Sequence, residues 1–558
     1  MNRNTLIGFI LIGLVLLFWP TYLDIIFPEE NTPKEPKEEA LQEKRFPKEE
    51  KEAVFVSNTA APNVNVSATK EKNEEILFYI ETSFFSAVVS NKNGGSISSF
   101  IIRDHLKADE KEIHLVDQKN ENNLLVSFIN TSGETVYLDG FWGFDPGSPT
   151  KISLVKDGET QKISFYKNVS GFLAKKSLTF TSNSYAVDID VDVEPLENII
   201  LDGRFNLGWS GGLRLTEKGA QESLFLEGLV SQGGSIQSYR VGSTSIFGGG
   251  GSEISLDSKQ YSGNADFVGY RTKYFGVFFV PQRTDFVQIY KEGSSTRPIV
   301  DFYTVQETNL RKTTLFLGPL DYEEIASLGV GLEDKILGWQ WLSSVSWLVY
   351  ATMVFLYGLV PNYGVVVVLF AILIKAATYP LMAKQLRSSK KMQEIQPELN
   401  KLKTKYKHDP ALQQQKMAAL FQESGVNPLA GCLPMLIQFP VLIAVFMVFR
   451  NTIEFRGEPF FLWISDLASP DTLFMVGSLP INVLPFLMSI SMYYTMKSAS
   501  AGQVSADPAQ EATQKMMKYM FPGMMFFLFY GFPSGLNLYY FCFNIIQLLQ
   551  QKIINNEK

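Results

Sequence analysis

Cysteine and histidine are nearly absent from this chain. Its 558 residues hold two cysteines, Cys432 and Cys542, and three histidines, His105, His114 and His408. Both cysteines lie in apolar segments, which excludes a disulfide framework and a cysteine-rich metal site. Three scattered histidines supply little for a metal centre or a catalytic triad. No Gly-x-x-x-x-Gly-Lys-Ser/Thr stretch occurs, so no ATPase is expected within the chain. A formal net charge of -7 excludes a globally basic nucleic-acid binder. After Met1 there is no methionine until Met353, and fifteen follow from there. No enzyme and no cofactor are expected.

What is present falls into blocks. Residues 1–27 begin with Arg3 and continue with about 20 apolar residues from Leu6 to Phe27, enough to span a bilayer as an uncleaved anchor. Arg3 before the run, with Asp24 near its end and Glu29 and Glu30 after it, places the N-terminus in the cytoplasm. Residues 28–73 carry many charges and prolines and almost no aromatics, and read as a disordered tether. From 74 to 332, short alternating runs such as "YAVDIDVDV" and "YFGVFFVPQ" are separated by Asn-Gly, Asp-Gly and Ser-Gly turns. This is the pattern of an antiparallel β-sandwich. The "FGGGGS" run at 247–252 lacks the Lys-Ser/Thr of a phosphate cradle and reads as a loop.

The remainder is helical. Trp339, Trp341 and Trp347 crowd residues 333–361, which suits an amphipathic helix at the membrane interface. Five apolar segments follow, Tyr363–Met382, Pro428–Phe449, Phe474–Tyr494, Lys515–Tyr530 and Leu536–Leu549. With the first anchor they make six transmembrane helices, and the shorter ones suggest a locally thinned bilayer. Within residues 384–426, eight Lys/Arg between Lys384 and Asp409 stand against Glu394, Glu398 and Asp409. That bias puts this segment in the cytoplasm and the β-domain on the opposite side. Met392, Ile395, Leu399, Leu402 and Tyr406 recur at helical spacing before "HDP", so a helical hairpin with one apolar seam is predicted.

One residue does not belong in its surroundings. Lys375 sits inside "VVVVLFAILIKAATYPL", where a charge costs between about 2.5 and 17 kcal/mol. Apart from Asp24 near the end of the first run, no Asp or Glu lies in any other predicted span to pair with it. A water-filled cavity is the better account than an ion pair. Asn537, Tyr540, Asn544, Gln547 and Gln551 recur at 3-4-3-4 on one face of the last span, and Asn427, Gly431, Pro434 and Gln438 make a second polar stripe. Interhelical hydrogen bonding explains either stripe alone. Together with Lys375 they favour a shared hydrated groove. Methionines clustered in 488–525 add a pliable apolar surface of the kind that accepts varied partners. A positive groove beside such a surface suits a client polypeptide with a polar tail and an apolar helix, inserted without ATP. A secondary transporter or proton-coupled channel using Lys375 is the alternative.

At the level of motifs, "YPLMAKQ", "QPELNKLK", "VNPLAGCLPMLIQFPV", "PFFLWISDL" and "FPSGLNLYYFCFNIIQLLQQ" closely resemble the YidC family of membrane protein insertases. The resemblance covers the chain from about Gly338 onward. The anchor and large β-domain look like the form found in bacteria with an outer membrane. It implies a polytopic inner-membrane protein with a five-helix conserved core over 362–558, a cytoplasmic hairpin, and an inserted periplasmic β-super-sandwich. It further implies work alone and beside the Sec translocon, as insertase and folding chaperone. The family's groove cation falls on Lys375, where many members have arginine; lysine, unlike arginine, can lose its proton when desolvated. The second tyrosine of "LYY", Tyr540, matches a groove-facing position. Gln438, Asn537 and Asn544 rest on spacing. The tail after Gln551, "KIINNEK", is weakly charged, so a ribosome or targeting factor is expected to meet the hairpin, and both termini are expected in the cytoplasm. The family's periplasmic fold resembles galactose mutarotases, but His105 and His114 give no basis for a catalytic pair.

Overall fold

The computed structural model describes residues 74–106, 112–116, 123–217, 222–241, 253–294, 297–338, 342–406, 408–425, 433–477, 479–500 and 515–556. The predicted anchor (1–27), the tether (28–73), the 247–252 glycine run, Trp339 and Trp341 lie outside the described residues.

The alternation seen in the first half folds as expected into strands. Among the described residues, sheets of five, nine and six strands run from Leu77 to Pro319. The strand Ala186–Asp192 shows why alternation works: Val187, Ile189 and Val191 are buried and the acidic residues between them are not. The nine-stranded sheet packs on both others. Phe165 meets Phe78 edge to face at 5.6 Å, and Phe279 meets Phe302 at 5.1 Å. Such aromatic pairs contribute about 0.5–1.5 kcal/mol beyond their buried area. One pairing departs from the antiparallel expectation. Leu77–Glu81 pairs in parallel with Lys151–Ser153, Tyr79 opposite Lys151. A parallel pair needs a crossover longer than a tight turn. The chain between Glu81 and Lys151 supplies it by building the neighbouring strands on the way.

After the sheets, Asp321 caps the short helix Tyr322–Ala326 by accepting from the backbone N–H groups of Glu323 and Glu324. The helices Glu333–Ile336 and Ser343–Leu359 follow. Ser346, Val349, Tyr350 and Met353 form the buried face of the second, but Trp347, Leu348, Phe355 and Leu359 are exposed. This helix is apolar on both faces, where an amphipathic one was expected. A protein wall covers one side, and the other is suited to lipid.

Helix Tyr363–Lys405 starts at Asn362, whose Oδ1 accepts from the Val365 N–H at 2.9 Å. It runs unbroken through Pro380 and Pro397, about 65 Å at 1.5 Å per residue. Its first part, Tyr363–Lys384, is the one stretch among the described residues both long and apolar enough to cross a membrane. Its second part is the predicted hairpin arm. Asp409 accepts from Leu412 N–H to start the returning helix Pro410–Glu423, and Gln413 donates to the Lys403 carbonyl across the hairpin.

The predicted apolar segments beyond it become helix Leu433–Asn451, helix Leu484–Ser500, the π-turn Met516–Met520 running into Phe521–Phe529, and helix Ser534–Asn556. The segment predicted as one helix over Phe474–Tyr494 is not one. Strands Thr472–Val476 and Leu479–Asn482 form a hairpin, and the helix begins only at Leu484. Gly477, at φ +63°, makes the reversal, and the Asp471 carboxylate accepts from Val483 and Leu484 N–H, fixing the helix start.

The β-domain is joined to the helical part by specific contacts. Lys335 donates to Ser238 Oγ at 2.7 Å, Tyr322 packs on Tyr350, and Arg450 stacks over the Phe225 ring. Arg456, in the turn after helix Leu433–Asn451, reaches Glu217 and the His105 carbonyl.

Candidate functional site

Lys375 continues an inward face of helix Tyr363–Lys405. Val367, Ala371 and Lys375 are spaced by four and all are buried, while Ile372 and Leu373 beside them are exposed. The helix geometry that hides the apolar residues therefore hides the cation too, leaving it 1% exposed.

The C-terminal helix Ser534–Asn556 packs against that face and supplies what surrounds the charge. Lys375 Nζ donates to Gln547 Oε1 at 2.9 Å and lies 3.3 Å from the centroid of the Phe543 ring. Gln550 Nε2 donates to the Lys375 backbone carbonyl at 3.1 Å. No carboxylate takes part in these contacts. A charge-assisted hydrogen bond contributes about 1.5–3 kcal/mol and a desolvated cation–π contact about 2 kcal/mol. Their sum matches only the lower end of the burial cost cited above for a mid-membrane cation.

The polar stripe of the C-terminal helix divides into two groups. Toward its start, the Asn537 amide donates to the carbonyls of Phe529, Phe532 and Pro533, closing the end of helix Phe521–Phe529. Tyr540 is buried nearby, edge to face with Phe529 at 5.2 Å. Toward its end, Phe543, Gln547 and Gln550 gather at Lys375. Asn544 is buried between, its carbonyl accepting from Thr495 Oγ1 of helix Leu484–Ser500. Asn544 Nδ2, Gln550 Oε1 and Gln551 Oε1 have no hydrogen-bond partner among the described residues. Gln438 lies on helix Leu433–Asn451, and its side chain is outside the described residues.

Phe543 and Gln550 were not singled out in the sequence. Phe543 stands four residues before Gln547 on the same face, but an aromatic in an apolar helix reads as filler. Among the described residues no group of three His, Cys, Asp or Glu could hold a metal ion. His105 and His114 sit beside different carboxylates, Asp104 and Glu112.

A β-domain joined to apolar helices that bury a lysine on neutral partners fits an integral membrane protein with a polar element inside its helical part. Comparison with known proteins is consistent with that class. The family model described as "60Kd inner membrane protein" matches residues 355–558, and that described as "YidC periplasmic domain" matches residues 37–348. A membrane protein insertase YidC from Chlorobaculum parvum is 32% identical over all of this chain and 94% of its own length. Another, from Pelodictyon phaeoclathratiforme, is 31% identical over all of this chain and 95% of its own. A solved structure titled "Active YidC insertase crystal structure with the first transmembrane domain resolved" aligns with 87% of this chain and 95% of its own, at 20% identity and a TM-score of 0.35. The chain belongs to the YidC family of membrane protein insertases, inner-membrane proteins with a periplasmic domain.

Proposed function

We propose that Lys375 is the attractant for the polar tail of a client membrane protein. The observation that carries this reading is the set of partners around Lys375: a neutral amide and an aromatic face, with no acid among the described residues. Such partners stabilise the cation without neutralising it, so an acidic or polar tail competes well for it. Asn544 Nδ2, Gln550 Oε1 and Gln551 Oε1, without a partner among the described residues, lie on the same helix and offer further contacts. Gln438, Asn537 and Tyr540 complete the proposed groove. As the tail enters, the client's apolar helix slides into lipid beside the methionine-rich segments, and no ATP is consumed.

In the same reading the chain has six spans with both termini in the cytoplasm, five of them forming the insertase core. Residues 1–27 anchor it, 28–73 tether the 74–332 domain, and 333–361 lie along the membrane surface. The 384–426 hairpin receives incoming chains, a ribosome or a targeting factor. The protein also serves as a folding chaperone and works beside the Sec translocon. A transporter reading requires an acidic relay near Lys375, and the described residues that contact it include none.

The test is reconstitution into liposomes with a single-span client bearing an acidic N-terminal tail. Lys375→Ala is expected to abolish insertion and Lys375→Arg to retain it. Equal insertion by wild type and Lys375→Ala would remove Lys375 from the mechanism.

A further inference from the structure

The hairpin Thr472–Asn482 is unusual in exposing both faces. Every residue of Thr472–Val476 is exposed, and in the regularly paired part Phe474 and Val476 face one side and Met475 the other. An isolated two-stranded hairpin is marginal in water, and one with apolar groups on both sides has no face to solvate. A second apolar tip lies close in sequence. Phe461 and Leu462 are 66% and 72% exposed, and Leu462 adopts φ +62°. A bulky residue rarely occupies that left-handed conformation, at a cost of about 1–3 kcal/mol. The turn that holds it there is closed by the Phe460 N–H bonding to the Ile464 carbonyl.

These tips are held in place. Asn482 Nδ2 donates to the Tyr530 carbonyl at 2.6 Å, and the Tyr530 hydroxyl donates to the Pro480 carbonyl. Asp471 gathers the Trp463 indole N–H and the first amides of helix Leu484–Ser500. The hairpin is thus fastened to the adjoining ends of helices Leu484–Ser500 and Phe521–Phe529.

Two features identify what covers it. From Thr472 through Met496 there is no Asp, Glu, Lys or Arg. A protein or translocon surface that recognised the hairpin by charge would find nothing to pair with. The helices to which it is fastened carry the same surface onward: Phe486 and Ile490 on one, and Phe527 and Leu528 on the other, are exposed. An uncharged apolar surface continuous with the exposed sides of apolar helices fits acyl chains.

We infer that this hairpin and the Phe461–Leu462 turn are wedges seated among the lipid acyl chains of the periplasmic leaflet. They extend the exposed apolar surface of the two helices to which they are fastened. The inference rests on the reading that those helices span the membrane with the β-domain in water.

The experiment uses the full chain in liposomes, with Cys432→Ala and Cys542→Ala as background. An environment-sensitive fluorophore is attached at Phe474→Cys, at Met475→Cys, at Leu462→Cys, or at Val155→Cys, an exposed site on the β-domain. Quenching is compared for iodide on both sides of the bilayer and for lipids carrying a nitroxide on the acyl chain. Labels at 462, 474 and 475 are expected to be blue-shifted, quenched by nitroxide lipid and protected from iodide, with the reverse at 155. Iodide quenching at 474 and 475 equal to that at 155 overturns the wedge. Protection from both quenchers also overturns it, and assigns the surface to a protein partner or a second copy. Lipid quenching at 155 instead overturns the placement of the β-domain in water.

Discussion

Arg456 and Glu217 lie 239 residues apart in sequence and 2.7 Å apart in space, guanidinium Nε to carboxylate oxygen. Arg456 belongs to the helical part and Glu217 to the β-domain, and both side chains are almost wholly buried. Removing one partner of a buried pair leaves the other charged and desolvated, at about 3–5 kcal/mol. Arg456→Met and Glu217→Gln are each expected to lower the apparent melting temperature in detergent. The double variant should lose much less than the sum. Strict additivity would show that the pair does not couple the two parts.

Around Lys375 the expectation is a different coupling. Phe543→Leu removes the ring face from the cation while keeping an apolar side chain of similar reach. It is expected to destabilise the Lys375 protein by about 1–2 kcal/mol and to leave a Lys375→Met background nearly unchanged. Equal losses in both backgrounds would mean that Phe543 is packing and nothing more. Gln547→Leu follows the same logic through the hydrogen bond.

Much of this was legible beforehand, because helical and strand periodicities are local. Lys375 stood out by charge, Gln547 by its place in a 3-4-3-4 stripe, and the strands by alternation. The Phe474–Tyr494 segment misled because apolarity alone does not distinguish a span from a hairpin followed by a helix. Gly477, Pro480 and Pro485 were the available signal. The meeting of Arg456 with Glu217 had none, since nothing local sets which distant residues a docked domain brings together. The division of the C-terminal stripe was equally hidden. Asn537 finds its partners in the carbonyls ending the preceding helix, and spacing does not reveal a carbonyl left unpaired there.

A second buried lysine makes a pH prediction. Lys176 lies within the β-domain at 0% exposure, its Nζ donating to the carbonyls of Asn93 and Leu124. Burial pushes its pKa down to about 7. Below that value both folded and unfolded chains carry the proton, so this group adds no pH dependence. Between about 7 and 10.4 the unfolded chain holds a proton that the folded one has released, so stability rises with pH, by up to about 1.4 kcal/mol per unit. Denaturant unfolding followed by tryptophan fluorescence from pH 7 to 9 should show that rise, and Lys176→Met should flatten it. An unchanged slope in the variant would assign the dependence to other groups.

Gly364 tests packing against propensity. It sits in the first turn of helix Tyr363–Lys405, where alanine ordinarily gains about 1 kcal/mol over glycine. A Cβ at this position would clash with Phe460 Cδ2 and Cγ of the ring and with the Phe460 Cβ. Phe460 cannot swing away freely, because its N–H bonds to the Ile464 carbonyl and fixes the backbone there. Overpacking of this kind costs about 1–3 kcal/mol, which outweighs the propensity gain. Gly364→Ala is therefore expected to lower the melting temperature. In a Phe460→Gly background, which removes the Cβ as well as the ring, the same substitution no longer meets these atoms, and its effect should turn neutral or favourable. If Gly364→Ala stabilises the otherwise unaltered protein, the close approach of Phe460 to this helix is not what holds the loop in place.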